Sequence, residues 1–175
     1  LLLDRLEASL RTLGRPYEIV FVDDGSRDGS LAILTDFAGR NGVRVVELTR
    51  NYGQHSAIMS GFSVVRGSIV VTIDADLQNP PEEIGKLVTA IEEGHDVAGG
   101  VRVDRHDSFA RKLPSWIVNR IISSSTGLEL RDYGCMLRAY KRNIVESIVA
   151  SGETSTFIPA LAHSFAANPA EVEVE

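Results

Sequence analysis

The chain predicts a three-layer α/β domain with a mostly parallel central sheet, and three observations carry that expectation. The runs Ile19-Val20-Phe21-Val22 and Ile69-Val70-Val71-Thr72-Ile73 are short, continuous and apolar, the pattern of strands buried on both faces. Segments with helical spacing alternate with such runs through the first hundred residues, as successive βα units require. Each run also ends in an acidic turn, Asp23-Asp24-Gly25-Ser26 and Asp74-Ala75-Asp76. Open α/β sheets bind ligands beyond the carboxyl ends of their strands. Carboxylates repeated at that edge point to a metal-assisted site for a phosphorylated substrate.

The elements follow in order. Leu3, Leu6, Leu10 and Leu13 recur at helical spacing before Gly14 and Pro16 end the pattern. A strand is predicted over 17–22, a helix over 30–38, a strand over 43–48, a helix over 54–65 and a strand over 69–73. Gly39 and Gly42 bracket one of the breaks. Asn79, Pro80 and Glu82 have the spacing of a capping box with proline at the first helical position. The helix they open places Ile84, Leu87, Val88 and Ile91 on one face and closes at Gly94. A short strand over 96–98 then runs into Gly99-Gly100.

Beyond Gly100 the character changes. Arg102, Arg105, His106, Arg111 and Lys112 lie in a polar stretch, followed by a predicted helix carrying Leu113, Trp116, Ile117, Arg120 and Ile121. After Ser123-Ser124-Ser125-Thr126-Gly127, an edge strand is predicted over 133–140 and a helix over 141–149. The stretch through Phe157-Ile158-Pro159 has no assigned element, and Glu171-Val172-Glu173-Val174-Glu175 alternates like a strand cut short. Because Leu1-Leu2-Leu3-Asp4-Arg5-Leu6 reads as the middle of a helix, both ends are expected to be truncated.

With 175 residues, 43% of them hydrophobic and 24% charged, the chain fits one globular domain with a substantial core. A net charge of −6 disfavours general nucleic-acid binding. Cys135 is the only cysteine, which excludes an intrachain disulfide and a thiolate cluster for zinc. No run here has the length of a bilayer span, and early charges make the first residues unlike a signal peptide.

Several constellations bear on chemistry. Asp74 and Asp76 are two apart, so an extended backbone sends both side chains to one face. There they can share a hard divalent cation, Mg²⁺ or Mn²⁺, with diphosphate oxygens; the competing reading is a solvated strand-to-loop turn. Within Asp23-Asp24-Gly25-Ser26 a carboxylate can accept the imide N–H of a uracil. The alternative is a plain turn, with Asp28 or Ser30 capping the next helix. Gly25-Ser26-Arg27-Asp28-Gly29 has neither the dinucleotide fingerprint nor a P-loop lysine.

Gly99-Gly100 either permits close backbone approach to a ligand or turns the chain. In the stretch 131–138, Asp132 is a candidate to orient or deprotonate an acceptor and Arg138 to bind phosphate oxygens, against a structural Arg–Asp pair. The basic residues of 102–112 suit a phosphate or form a solvated loop. Trp116, Ile117 and Ile121 face either a membrane surface or a buried core. His55, His95 and His163 read as structural, loop or surface residues, and Cys135 as a small buried hydrophobe.

The pieces Phe-Val-Asp-Asp-Gly-Ser-Arg-Asp-Gly-Ser (21–30), Asn-Tyr-Gly-Gln (51–54) and Asp-Ala-Asp-Leu-Gln-Asn-Pro-Pro-Glu (74–82) resemble the family 2 glycosyltransferases of GT-A fold. Their order and spacing are similar to the polyprenyl-phosphate branch, alongside the dolichyl-phosphate mannose synthases. The stretch Gly127-Leu128-Glu129-Leu130-Arg131-Asp132-Tyr133-Gly134-Cys135-Met136-Leu137-Arg138-Ala139-Tyr140 is most similar to bacterial members that modify lipid A.

The resemblance implies an inverting transferase that moves a sugar, of the 4-deoxy-4-formamido-L-arabinose kind, from UDP to undecaprenyl phosphate. By motif, Asp24 resembles the base-contacting residue, with Asp23 beside it. Asp74 resembles the residue near donor ribose or diphosphate, and Asp76 the principal ligand of Mg²⁺ or Mn²⁺. Gly99 is grouped with the donor-binding residues. Asp132 matches the acidic residue near the acceptor, and Arg138 the arginine closing that motif.

On this reading residues 1–175 form one catalytic domain, with a nucleotide-sugar and metal half over about 1–100 and an acceptor half over about 101–175. The implied partners are a UDP-sugar and a polyprenyl phosphate, with no nucleic acid. The implied location is the cytoplasmic face of the bacterial inner membrane, reached through segments outside this sequence, and a homo-oligomer is compatible with it. Such proteins usually begin with a strand ahead of Leu1 that helps hold the nucleotide, so its absence here would expose a sheet neighbour and weaken donor binding. Two other readings stand beside the lipid acceptor: transfer to a saccharide or polymer, and a nucleotide-sugar binding domain without turnover.

Overall fold

A computed structural model of the chain describes residues 1–103, 132, 135–153 and 156–175. The described elements run α1 (Leu2–Thr12), β1 (Ile19–Asp23), α2 (Ser30–Ala38), β2 (Val43–Glu47), α3 (Gln54–Val64) and β3 (Ile69–Thr72). A 3₁₀ turn, Pro81–Glu83, leads into α4 (Ile84–Glu92) and β4 (Val97–Arg102). Then come β5 (Arg138–Lys141), α5 (Arg142–Ser151), α6 (Ile158–Phe165) and β6 (Pro169–Val174). The helix expected around Leu113–Ile121 and the basic residues Arg105, His106, Arg111 and Lys112 lie outside the described residues.

The strands form two ladders. β1 and β2 pair in parallel, with Ile19 opposite Val43 and Asp23 opposite Glu47. The other sheet has the order β3-β5-β4-β6. β5 is antiparallel to both neighbours and β4 is parallel to β6, so three of its four strands share one direction. The expected edge strand over 133–140 is therefore corrected: β5 is shorter and lies inside the sheet. Ala139 and Tyr140 are fully buried on its two faces because both are covered, one by each core cluster.

Two more sequence expectations change. Asn79 does not cap a helix; it is buried and its Oδ1 accepts the Cys135 thiol at 3.3 Å. The chain instead enters α4 through the 3₁₀ turn, and Glu82 reaches across to Arg5 of α1 at 2.6 Å. Gly99 and Gly100 lie within β4 rather than ending it. The alternating terminus expected to be a strand is β6, whose Val174 is fully buried.

One face of the sheets is covered by α1, α2 and α4, through Leu3, Leu6, Phe37, Leu87 and Ile91. The other is covered by α3, α5 and α6, through Phe62, Ile144, Ile148, Ile158 and Leu161. Phe62 meets Tyr140 edge-on with ring centroids 5.4 Å apart. Both clusters are of the kind that makes apolar burial the main stabilising force. Between β1 and β3, no ladder is formed among the described residues. Instead a seam of about 720 Å³ runs along consecutive residues of both strands, Ile19 to Val22 and Ile69 to Ile73, with Gln54 and Asp74 at one end.

At the far end of the larger sheet, Asp96 ties three segments together. One carboxylate oxygen accepts Lys141 Nζ at 2.8 Å, and the other accepts the backbone N–H groups of Ala167 and Asn168 at 3.0 Å. The Lys141 ammonium, aided by those two N–H groups and opposed by burial, holds the Asp96 carboxyl below the usual carboxylate range. A lowered folded-state value means the stabilisation is present above the unfolded value of about 3.9. It is lost as pH falls through the folded value. Asp96→Asn is therefore expected to lower stability at pH 7, with the gap to the native chain closing below about pH 4; urea unfolding across pH 2–7 measures it.

Candidate functional site

The acidic turn after β1 is built by its own backbone. Asp23 is buried, and its Oδ2 accepts the N–H of Ser26 at 3.0 Å. Gly25 has φ +69°, and a Cβ there would lie 2.4 Å from the carbonyl carbon of Arg50. Only glycine lets this turn press so closely on the strap that follows β2. Asp24 grips that strap: its two oxygens accept the N–H groups of Tyr52 at 2.8 Å and Gly53 at 2.9 Å. Tyr52 is held further by the Arg50 guanidinium, 4.8 Å from its ring centre, and by the Thr49 hydroxyl at 3.1 Å. A cavity of about 250 Å³ opens between turn and strap, lined by Asp23, Ser26, Arg27, Thr49 and Asn51 among others.

The strap delivers Gln54, the first residue of α3, to the second acidic turn. Its Nε2 donates to Asp74 Oδ1 at 3.1 Å. The two carboxylate edges expected to share one site are thus joined through three consecutive residues, 52 to 54. Asp74 is half-buried; burial, and then the Asp76 charge, push its carboxyl above the usual range, with Gln54 opposing. Asp76 is exposed and accepts the Gln78 N–H at 3.0 Å. Next to it, Leu77 has φ +63°, the only positive value at a non-glycine residue among those described. Such a conformation costs about 1–3 kcal/mol and collects at functional turns.

Among the described residues no group of three or more His, Cys, Asp or Glu side chains is placed to enclose a metal. What the turn offers is two mutually repelling carboxylates, one of them exposed. That donor set fits a hard divalent cation, which removes the repulsion and takes its remaining ligands from oxygen donors of a substrate or water. It does not fit a soft metal, which would want thiolate.

Asp132, Arg138 and Gly99 form a second group at the same sheet edge, since Arg138 is paired with Thr72 on one side and Gly99 on the other. Both carboxylate oxygens of buried Asp132 accept from Arg102, at 2.9 and 3.3 Å. Arg138 is 3% exposed. Its Nε donates to the Cys135 carbonyl at 3.0 Å and its Nη2 to the Asp132 carbonyl at 2.9 Å. A Cβ on Gly99 would lie 2.7 Å from Arg138 Nη1.

The group that approaches Gly99 is thus this guanidinium, whereas the sequence offered approach of a ligand or a turn of the chain. The structural Arg–Asp pair weighed against catalysis exists, with Arg102 as a cation of Asp132. Cys135 is buried and its thiol is pushed up by that burial, in line with a small apolar role. His163, in α6, is pushed down by burial. Gln54 escaped sequence reasoning as a site residue, and Arg102, expected with its basic neighbours to suit a phosphate or form a solvated loop, is bound to Asp132. Gln54 lay inside a recognised motif without an assigned role, and nothing local marks a partner thirty residues away.

Residues 1–149 match the family model described as Glycosyl transferase family 2. The undecaprenyl-phosphate 4-deoxy-4-formamido-L-arabinose transferase of Pseudomonas paraeruginosa is 55% identical over 175 residues, covering 99% of this chain and 52% of its own. That of Serratia proteamaculans is also 55% identical, covering 99% and 54% respectively. The chain spans about half the length of the curated relatives it matches. Among solved structures, glucosyl-3-phosphoglycerate synthase from Mycobacterium tuberculosis in complex with Mn²⁺ and uridine-diphosphate-glucose aligns with a TM-score of 0.62 at 17% identity. The alignment covers 97% of this chain and 72% of that one. A likeness at that identity speaks for the fold, and the GT-A-like arrangement expected from the motifs is the one found.

The contact between β4 and Arg138 can be tested without any ligand. Gly99→Ala inserts a methyl against a guanidinium already fixed by two carbonyls, and overpacking of this kind costs about 1–3 kcal/mol. Gly29→Ala, where a Cβ meets nothing within 4 Å, is expected to change stability by less than about 0.5 kcal/mol. Denaturant unfolding of the two variants side by side measures the difference.

Proposed function

The chain belongs to glycosyl transferase family 2, and from that membership we propose that the full-length protein transfers 4-deoxy-4-formamido-L-arabinose from UDP to undecaprenyl phosphate with inversion. The observation that carries the reading is the junction of the two acidic edges through Asp24, the 52–54 strap and Asp74. It links the two acidic turns that this reading assigns to one donor site. The 55% identity to the two named transferases supports the sugar and the lipid acceptor.

Each residue has a role in this proposal. Asp24 spends two lone-pair positions on the strap, and a carboxylate has about four, so it can still accept the imide N–H of uracil beside Asp23. Asp74 faces the donor ribose or diphosphate. With Asp76 it would hold Mg²⁺ or Mn²⁺, whose charge offsets that of the departing diphosphate. A fold relative solved with Mn²⁺ and UDP-glucose supports that choice of ion.

An oxygen of the lipid phosphate attacks the anomeric carbon in line. The bond from that carbon to the UDP oxygen breaks, and its electron pair leaves on the β-phosphate. Because a phosphate monoester is already anionic near neutral pH, no proton has to be removed. Asp132, engaged on both oxygens by Arg102, then serves to position the acceptor end of the site. Arg138 holds Asp132 in place through that residue's backbone carbonyl and also donates to the carbonyl of Cys135. Gly99, which the resemblance groups with the donor residues, serves the acceptor end by admitting that guanidinium. No described helix is long and apolar enough to cross a membrane; the lipid acceptor is the reason for placing the full-length protein at the cytoplasmic face of the inner membrane.

Mass-spectrometric detection of lipid-linked sugar after offering UDP-sugars with undecaprenyl phosphate tests the proposal. Asp76→Ala is expected to lower the rate of the full-length protein about a hundredfold, the scale on which loss of transition-state charge stabilisation is felt. Asp132→Asn is expected to raise the KM for the lipid phosphate while leaving UDP affinity in place. UDP release at the same rate without lipid, and no lipid-linked product, would overturn the assignment.

A further inference from the structure

We propose that Gln54 is a positioning residue for Asp74: its side-chain amide fixes the carboxylate for the cation, and Asp24 fixes Gln54 through the backbone of Tyr52 and Gly53. The inference rests on the metal-assisted reading of the preceding subsection and adds a residue to it.

Several independent contacts place this amide. Gly53 precedes α3 with φ +91°, a conformation that L side chains rarely adopt, so the helix begins at a defined angle. Asp24 accepts the N–H of that glycine and of Tyr52, and charge-assisted bonds of this type are the stronger kind. Tyr52 is pinned by Arg50 and Thr49, and the missing Cβ of Gly25 lets the acidic turn seat against Arg50 and Asn51. Gln54 itself is exposed, so its side chain contributes no core packing. The one hydrogen bond of this side chain among the described residues is its donation to Asp74.

The chemistry of that donor matters. A lysine at this position would neutralise Asp74 and compete with a cation. An amide N–H orients one carboxylate oxygen and leaves the full negative charge for a metal. It also opposes the repulsion from Asp76, which otherwise favours turning the carboxylate away. Hydrogen-bond partners of metal-binding carboxylates act in this way, and their loss typically costs about 10–100-fold in metal affinity.

The test uses the full-length protein and UDP as the probe. UDP affinity is measured by titration calorimetry with saturating Mn²⁺ and again with chelator, for the native protein and for Gln54→Leu, which keeps the bulk and removes the donor. The expected result is a loss of about tenfold in UDP affinity for the variant with Mn²⁺, no change with chelator, and an unchanged thermal midpoint. Equal losses in both conditions would make Gln54 a direct donor contact, and no loss in either would make its bond to Asp74 incidental; each overturns the inference. If Mn²⁺ does not strengthen UDP binding even to the native protein, the metal-assisted reading itself fails, and the inference with it.

Discussion

The carboxylate of Asp24 fastens the turn after β1 to the strap that follows β2, and through Gln54 that strap reaches Asp74 at the end of β3, in a ladder that shares no strand pairing with the first among the described residues. Its two bonds to Tyr52 and Gly53 belong to the class involving a charged partner, each contributing about 1.5–3 kcal/mol. Their effect is more positional than energetic. They set where α3 begins, and α3 in turn carries Phe62 into the core beneath α5 and α6 and Gln54 to the rim of β3. A residue whose side chain organises backbone in this way cannot be exchanged for asparagine at no cost, because an amide has only one acceptor atom for two donors.

The second organising group is ionic and buried. Burying a guanidinium is costly unless its donors are used, and Arg138 satisfies two of them on main-chain carbonyls. Arg102 closes on Asp132 from β4, so Asp132 is held at its side chain by Arg102 and at its carbonyl by Arg138. The space for this comes from a strand without side chains at 99 and 100. At Gly100 a Cβ would lie 3.0 Å from both Cys135 Sγ and the Leu137 carbonyl. The glycine pair is thus a packing requirement of the contact between β4 and the residues around Arg138, at a place where the sequence offered either a ligand or a turn.

How much could be read in advance depends on how local the cause is. Strands β1, β2 and β3 fall within a residue or two of expectation because runs such as Ile69-Val70-Val71 announce themselves. The start of α4 was misplaced because Asn79 and Glu82 found distant partners, Cys135 and Arg5, that outcompeted a local cap. β5 was expected at an edge since nothing in Arg138-Ala139-Tyr140 reports which strands flank it. The acidic turns were legible as chemistry from their place after apolar runs. Gln54 and Arg102 were not, since their meaning is a contact across twenty and thirty residues. Leu77 was equally silent, for a leucine in the left-handed region is imposed by its surroundings.

The seam between β1 and β3 bears on how rigid the site can be. Strands in one ladder move as a unit, because sliding one past the other breaks several backbone bonds at once. Here the Asp24 rim and the Asp74 rim ride on separate ladders, coupled by side-chain packing of α1, α3 and α4 and by the strap. Side-chain contacts yield by fractions of an ångström at little expense, whereas a ladder does not. In this stretch of chain the relative placement of the two acidic turns consequently rests on helix packing and on the strap's bond to Asp74, with no strand ladder to fix it.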